Sequence, residues 1–155
     1  MATPATTTAS VLVVRIDTRL AALPLRDVIE TMRPLPVEGL PGTPPSVLGL
    51  SIIRGAAVPV LDLRLLLGLR AAPCTRFVTT RLGERCVALA VDEVVGMRDI
   101  PTSSLESLPP LLGEAHSELV TSIAALDREL LMVLRASRRL LDPIDEAVRA
   151  AGSTV

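Results

Sequence analysis

Four pairs of strand-length apolar segments, each joined by a two-residue turn, are the feature that most constrains this chain. The pairs are residues 11–16 with 19–25, 47–53 with 56–61, 75–82 with 85–91, and 119–126 with 129–134. Leucine and β-branched residues dominate these segments, as in strands. The turn Gly83-Glu84 has glycine first, which suits a tight hairpin. Hairpins at this spacing predict an all-β fold of small barrels.

One of these segments, residues 86–91, is apolar on both of its alternating faces. One face carries Cys86, Ala88 and Ala90, and the other carries Val87, Leu89 and Val91. A single small barrel buries only the inner face of a strand. We therefore expect the outer face to be covered by the other barrel, by a C-terminal helix or by a partner.

Helical signals are short except at the C-terminal end. Residues 27–32 could form one or two helical turns, and Asp62 is a suitable N-cap for a turn that Gly68 closes. Asp142 followed by Pro143 predicts the start of a C-terminal helix.

Proline marks the connections and the limits of the domain. Residues 34–45 hold five prolines and predict an extended connection, and residues 103–110 resemble a loop. Pro59 suits an edge strand or the first part of a strand. We divide the chain into a flexible tail (1–9), one domain of two subdomains (10–141), and a C-terminal helix with its tail (142–155).

The composition argues against several functional classes. The net charge is −1, which offers no basic footprint for nucleic acid. No apolar run approaches the roughly 18 residues that a membrane span needs. Phe77 is the only aromatic residue, which excludes base stacking. Without an export signal, Cys74 and Cys86 are expected to be reduced thiols in a cytoplasmic protein.

The side chains that could carry chemistry are few and scattered. His116 is the only histidine, and we expect it in an exposed loop. Asp92, Glu93 and Asp99 are candidate acid–base carboxylates, but solvated residues at a strand end explain them better. No metal, phosphate or nucleophile motif occurs, and we expect no cofactor. The pattern favours a binding module over an enzyme.

Three motifs carry a resemblance to a known family. Residues 47–68 read VLGLSIIRGAAVPVLDLRLLLG, residues 85–97 read RCVALAVDEVVGM, and residues 126–141 form a last hairpin with an L-L ending. In order and spacing they resemble CheW-like coupling proteins over roughly residues 10–141. Gly55, after Arg54, can adopt the positive φ that closes the turn.

The resemblance implies a fold of two intertwined five-stranded β-barrels with short helices, and a non-enzymatic adaptor. Such adaptors join the cytoplasmic tips of chemoreceptors to the regulatory domain of a CheA-type histidine kinase. Receptor-contact positions would be Val28, Glu30, Gly49, Arg54 and Gly55. Kinase-contact positions on the second barrel would be Val87, Leu89 and Val91. The protein would then be recruited to cytoplasmic receptor arrays without membrane insertion.

Departures from the family pattern leave the recognised receptor open. The family often has asparagine two residues before the motif arginine, where this chain has Ile52. An alternative is an adaptor for a chemosensory system with another output, such as pili. A small β-barrel enzyme using Asp92 or Asp99 is the alternative from another class.

Overall fold

A computed structural model describes residues 7–107, 119–135 and 138–153 of the chain. His116 and residues 1–6 lie outside the described residues, so the predictions about them are not addressed by the structure. Within the described ranges, no helix is long and apolar enough to cross a membrane.

Eleven strands and two short α-helices are described, in two antiparallel-rich sheets. The strands are β1 (Thr8–Ile16), β2 (Arg19–Pro24), β3 (Val28–Met32), β4 (Val47–Ile53), β5 (Ala56–Asp62), β6 (Arg76–Leu82), β7 (Arg85–Val91), β8 (Glu93–Pro101), β9 (Glu106–Ser107), β10 (Val120–Leu126) and β11 (Glu129–Leu134). The helices are α1 (Leu63–Leu66) and α2 (Asp142–Ser153). The all-β fold class is therefore confirmed.

All four predicted hairpins are present with their predicted turns. They are β1–β2, β4–β5, β6–β7 and β10–β11, each antiparallel. The capped turn is also present: Asp62 accepts hydrogen bonds from the backbone N–H groups of Arg64 and Leu65, at 2.9 and 3.4 Å. Gly68 follows α1 with φ of +77°, as a closing glycine should.

The secondary structure departs from the sequence predictions at four places. Residues 28–32 form strand β3 instead of a helix, because their β-branched side chains fit the ladder with β6. Strand β8 was not anticipated, and β1 begins at Thr8, inside the predicted tail. Strand β9 and a 3-10 turn over Thr102–Ser104 occupy the predicted loop, whose remainder lies outside the described residues.

The strands form a six-stranded sheet A, in the order β8-β1-β2-β11-β10-β9, and a five-stranded sheet B, in the order β3-β6-β7-β5-β4. Pro59 lies in β5, an interior strand, but the parallel ladder with β7 begins one residue later, at Val60. Pro59 is the fourth of the seven residues of β5, so the prediction of an edge strand or the first part of a strand was wrong; its missing N–H nevertheless breaks no bond to β7.

Both sheets curl, but their described hydrogen-bonded ladders leave edge strands, so closed barrels are not confirmed. The edges of sheet A, β8 and β9, are separated by residues 102–105 alone. The five residue steps from Pro101 at the end of β8 to Glu106 at the start of β9 span at most about 17 Å. In a flat sheet of six strands, the two edge strands would lie about 24 Å apart. Sheet A must therefore curl. In sheet B, a single bridge between Glu38 and Leu50 joins the segment after β3 to β4 at the opposite edge.

Curling gives each sheet an inner apolar core and leaves a third core between the sheets. Core A is made of Val11, Val13, Leu20, Ala22, Ile100, Ala124 and Leu131. Core B is made of Ile53, Val58, Val60, Phe77, Ala88 and Ala90. The inter-sheet core joins residues of both sheets with Leu63 of α1 and Ile144 of α2. The two sheets therefore share one folding unit.

Candidate functional site

The β4–β5 turn is the centre of the predicted receptor site. Arg54 and Gly55 both have positive φ, +54° and +78°, which defines a type I′ turn. The prediction of a left-handed Gly55 is thus confirmed, whereas a left-handed Arg54 was not anticipated. A Cβ on Gly55 would meet no atom within 4 Å. The turn is therefore open to solvent, and its side chains are accessible to a partner.

The Arg54 guanidinium forms a two-point ion pair with Glu30 across the seam where the edges of sheet B approach each other. Arg54 Nε donates to Glu30 Oε1 at 3.1 Å, and Arg54 Nη2 donates to Glu30 Oε2 at 2.7 Å. The Arg54 side chain is 80% exposed and that of Glu30 is 26% exposed. The hydrogen bonds from Arg54 lower the pKa of Glu30, and Glu30 raises the pKa of Arg54. Both groups are therefore charged at neutral pH.

Gly49 is a buried residue at which β4 and the segment after β3 approach each other closely. It is buried, with φ of +141°, at a bulge in β4. A Cβ at this position would lie 1.9 Å from the carbonyl oxygen of Glu38. Only glycine lets the chain after β3 come this close to β4. Gly49 thus has a structural role, and its contact with a receptor stays a prediction.

Val28 also contributes mainly to packing and little to the exposed surface. It is half-buried and packs against the inter-sheet core at the start of β3. Of the five predicted receptor residues, the structure brings Glu30, Arg54 and Gly55 together at the surface. Gly49 and Val28 lie behind them.

Two exposed isoleucines, close in sequence to the residues of the ion pair, were not predicted as site residues. Ile29 precedes Glu30 and is 49% exposed, and Ile52 lies two residues before Arg54 and is 67% exposed. Ile52 was noted only as a departure from the family pattern. A large apolar side chain on an outward strand position is the signal that could have identified it. We call Glu30, Arg54, Ile29 and Ile52 the seam surface.

The predicted kinase-contact residues are core residues in this structure. Val87, Leu89 and Val91 are at most 1% exposed and belong to the inter-sheet core. The alternate face of β7, with Ala88 and Ala90, lies in core B. The other sheet covers the outer face of β7, one of the options that the sequence left open. Buried side chains offer no surface to a partner, so this burial argues against a kinase contact at these three residues, and the contact itself stays a prediction.

The candidate acid–base carboxylates have structural partners. Asp92 is held by Arg64, and Asp99 accepts a hydrogen bond from Ser10 Oγ at 2.6 Å. Burial is the main cause that raises the pKa of the Cys74 and Cys86 thiols, so both are protonated at neutral pH. Among the described residues, no group of three histidine, cysteine or acidic side chains could hold a metal ion.

Comparisons with known proteins agree with this geometry. The model of the CheW-like domain family matches residues 10–142. Protein FrzA of Myxococcus xanthus is 32% identical over 137 residues, covering 85% of this chain and 84% of the relative. The chemotaxis protein CheW of Helicobacter pylori is 26% identical, covering 77% and 73% of the two chains.

A solved structure supports the same fold. The scaffolding protein TtCheW from Thermoanaerobacter tengcongensis superimposes with a TM-score of 0.77 at 23% identity. The match covers 84% of this chain and 91% of that chain. The motifs at residues 47–68 and 85–97 both lie within the part of the chain that the family model matches.

Proposed function

Because the chain belongs to the CheW-like domain family, we propose that it is a non-enzymatic adaptor that couples chemoreceptors to a CheA-type histidine kinase. The observation that carries the proposal is the seam surface, which has an exposed, pre-oriented arginine and two exposed isoleucines close to the ion pair in sequence. Such a surface binds a partner without any reactive group. A cytoplasmic location at receptor arrays is part of this proposal.

The ion pair prepares Arg54 for binding without using all of its donors. A guanidinium has five N–H donors, and the two bonds to Glu30 use Nε and one N–H of Nη2. The remaining donors can reach a carboxylate or the carbonyl groups at a helix end of a receptor tip. Because Glu30 fixes the guanidinium plane, little side-chain entropy is lost on binding. Ile29 and Ile52 would supply the apolar part of the contact.

The kinase contact must then use side chains that are exposed. Met97 on β8 and Leu130 on β11 are exposed apolar residues of sheet A, on strands away from the seam surface. We place the contact with the kinase regulatory domain on sheet A for this reason. A separate surface for each partner would let one adaptor hold both at once.

Charge variants of Arg54 test the receptor part of the proposal. Arg54→Glu should weaken capture of a receptor-tip fragment by roughly ten- to a hundredfold, because it removes a charge-assisted contact and adds a repulsive one. Arg85→Glu is the matched control, since Arg85 is also exposed and ion-paired, with Asp145, but lies outside the seam surface. Calorimetry of both variants with the same fragment gives the comparison.

The double exchange Glu30→Arg with Arg54→Glu separates binding from folding. The exchange restores an ion pair across the seam. It also places a carboxylate at position 54, where the proposed receptor contact requires a positive charge. The melting temperature should recover while receptor affinity stays low. Recovery of both would show that the pair serves only the fold, and unchanged affinity in Arg54→Glu would remove the seam surface from the proposal.

A second candidate is an adaptor of a chemosensory system with another output. FrzA and protein PilI of Pseudomonas aeruginosa are both 32% identical to the chain, above the 26% of the H. pylori CheW. The PilI match covers 63% of this chain and 57% of PilI. Capture experiments with kinase and receptor fragments from the two kinds of chemosensory system would distinguish the two outputs.

A further inference from the structure

The chain returns from sheet B to sheet A through a single residue, Asp92. Strand β7 ends at Val91 and β8 begins at Glu93, so Asp92 alone connects them. Its N–H donates to the carbonyl oxygen of Arg15 in β1 at 3.1 Å. Its carbonyl oxygen accepts from Thr75 Oγ1, just before β6. The crossing residue is therefore tied by its backbone to both sheets.

The side chain of Arg64 closes a triangle around this crossing. Arg64 lies in α1, directly after β5 of sheet B, and its Nη2 donates to the Asp92 carboxylate. Arg64 Nη1 lies 3.5 Å from Asp17 Oδ1 in the β1–β2 turn of sheet A. The N–H of Asp17 donates in turn to Asp92 Oδ2 at 2.6 Å. Each of the three residues thus contacts the other two.

Arginine suits this triangle better than lysine, because its side chain must pair with two carboxylates. The planar guanidinium can address two carboxylates in fixed directions, which the single ammonium of lysine cannot do. The Arg64 side chain is only 13% exposed, so salt screens its ion pairs less than those of surface residues. The hydrogen bond to Asp92 also holds Asp17 at its φ of +59°, a conformation that non-glycine residues rarely adopt.

The inter-sheet core specifies the orientation of the sheets only through the fit of its side chains, because the hydrophobic effect itself is non-directional. The bonds of Arg64 are directional and lie at the crossing itself. We propose that Arg64 is a positioning residue that locks the orientation of sheet A against sheet B by holding Asp92 and Asp17 together.

The consequence for signalling rests on the proposed function. If receptor and kinase occupy sheets B and A respectively, the lock sets the angle between them. Loss of Arg64 then leaves each binary contact intact but loosens the geometry of the ternary assembly. Arg64 contacts neither partner in this scheme.

Amide hydrogen exchange tests the lock in the free protein. In Arg64→Gln, the amides of Asp17 and Asp92 should exchange at least tenfold faster, while those of Val78 and Leu89 in the β6–β7 ladder keep their rates. Arg64→Lys should give an intermediate change. Arg85→Gln, which removes an ion pair to α2 and not to the crossing, should change neither amide.

Paired spin labels measure the orientation directly. Exposed positions Arg81 in sheet B and Ala125 in sheet A accept cysteines, in a background with Cys74→Ala and Cys86→Ala. The distance distribution between the labels should broaden in Arg64→Gln and stay narrow in the parent and in Arg85→Gln. Equal acceleration of all amides with an unchanged distance distribution would overturn the lock, because Arg64 would then contribute only to global stability.

Capture of partners separates this inference from the proposed function. Arg64→Gln should capture receptor and kinase fragments singly as the parent does, while kinase control in the ternary mixture falls. If the parent captures neither fragment, the proposed function fails but the lock stands on the exchange data. If the exchange data are unchanged, the lock fails whatever the captures show.

Discussion

At the scale of single residues, the dipeptide Arg54-Gly55 has two roles that depend on each other. Its positive φ angles turn the chain, and that turn aims the Arg54 guanidinium at Glu30. The lowered pKa of Glu30 means that the pair stabilises the fold above the ordinary pKa of a glutamate, and that this contribution is lost as the pH falls through the lowered pKa. At neutral pH the seam surface is therefore fully charged.

Gly49 should be far less replaceable than another glycine with positive φ. Gly49→Ala places a Cβ 1.9 Å from a backbone oxygen, so it should cost about 2 to 4 kcal/mol of unfolding free energy. Gly42→Ala is the control, because Gly42 has φ of +80° but open space around it, and should cost about 1 kcal/mol. Urea denaturation of both variants gives the comparison, and equal losses would refute the close-approach argument.

At the scale of elements, the sequence predicted those elements that are determined by residues close together in the chain. The four hairpins follow from turn residues between apolar runs, and α1 follows from a cap and a closing glycine. Strands β3 and β8 were missed because their pairing is long-range: the residues of β8 pair with residues of β1 that lie 78 to 93 positions away in the chain. Likewise, the sequence indicated Arg54 as a site residue, but only the curl of sheet B brings it to Glu30. The sequence showed that both faces of β7 are apolar, but it did not show which part of the molecule covers each face.

The cap of α1 should need an oxygen acceptor more than a charge. Asp62→Ala removes the acceptor of two N–H groups and should cost about 1 kcal/mol. Asp62→Asn keeps an acceptor and should be at least as stable as the parent at pH 7. Thermal melting of the three proteins checks this order, and equal losses in both variants would contradict it.

The pH dependence of this cap has a defined sign. Burial is the main cause that raises the pKa of Asp62, so the folded protein binds this proton more tightly than the unfolded chain. The parent should therefore gain stability relative to Asp62→Asn as the pH falls through the raised pKa. The opposite trend in melting temperature between pH 7 and pH 4 would show that Arg64 and the N–H groups outweigh burial.

Strand β7 should behave as core at the positions once expected to bind a kinase. Leu89→Ala should cost about 3 kcal/mol, because Leu89 is buried between the sheets. Leu130→Ala, the same change at an exposed position, should leave the unfolding free energy within about 0.5 kcal/mol of the parent. Denaturant titration measures both, and a small loss for Leu89 would mean that its face of β7 is not packed as described.

At the scale of the whole molecule, the inter-sheet core decides how the protein unfolds. Strands of both sheets and both helices contribute to it, so neither sheet keeps its outer face buried without the other. The two barrels implied by the family resemblance would allow two independent units, but one shared core argues for a single unfolding transition. The sequence showed the apolar faces and could not show that they meet.

Unfolding should therefore be two-state. Amide signals from β1 of sheet A and β6 of sheet B should disappear with the same urea midpoint, and circular dichroism should report that midpoint too. Leu89→Ala should lower the urea midpoints of the β1 amides, the β6 amides and the circular dichroism signal by the same amount. Separate midpoints for the two sheets would show that the inter-sheet core does not couple them.

The proline-rich segment after β3 has a consequence for the protein in a crowded cell. Glu38 and Leu50 exchange two backbone hydrogen bonds of 2.8 Å, and Ser51 Oγ donates to the carbonyl oxygen of Pro36 at 2.9 Å. An uncovered β4 would be a template for aggregation with other chains. Because prolines have no N–H to extend the ladder, the segment that covers β4 is itself a poor template. At this bridge the β4 edge of sheet B is thus protected against strand addition by another chain.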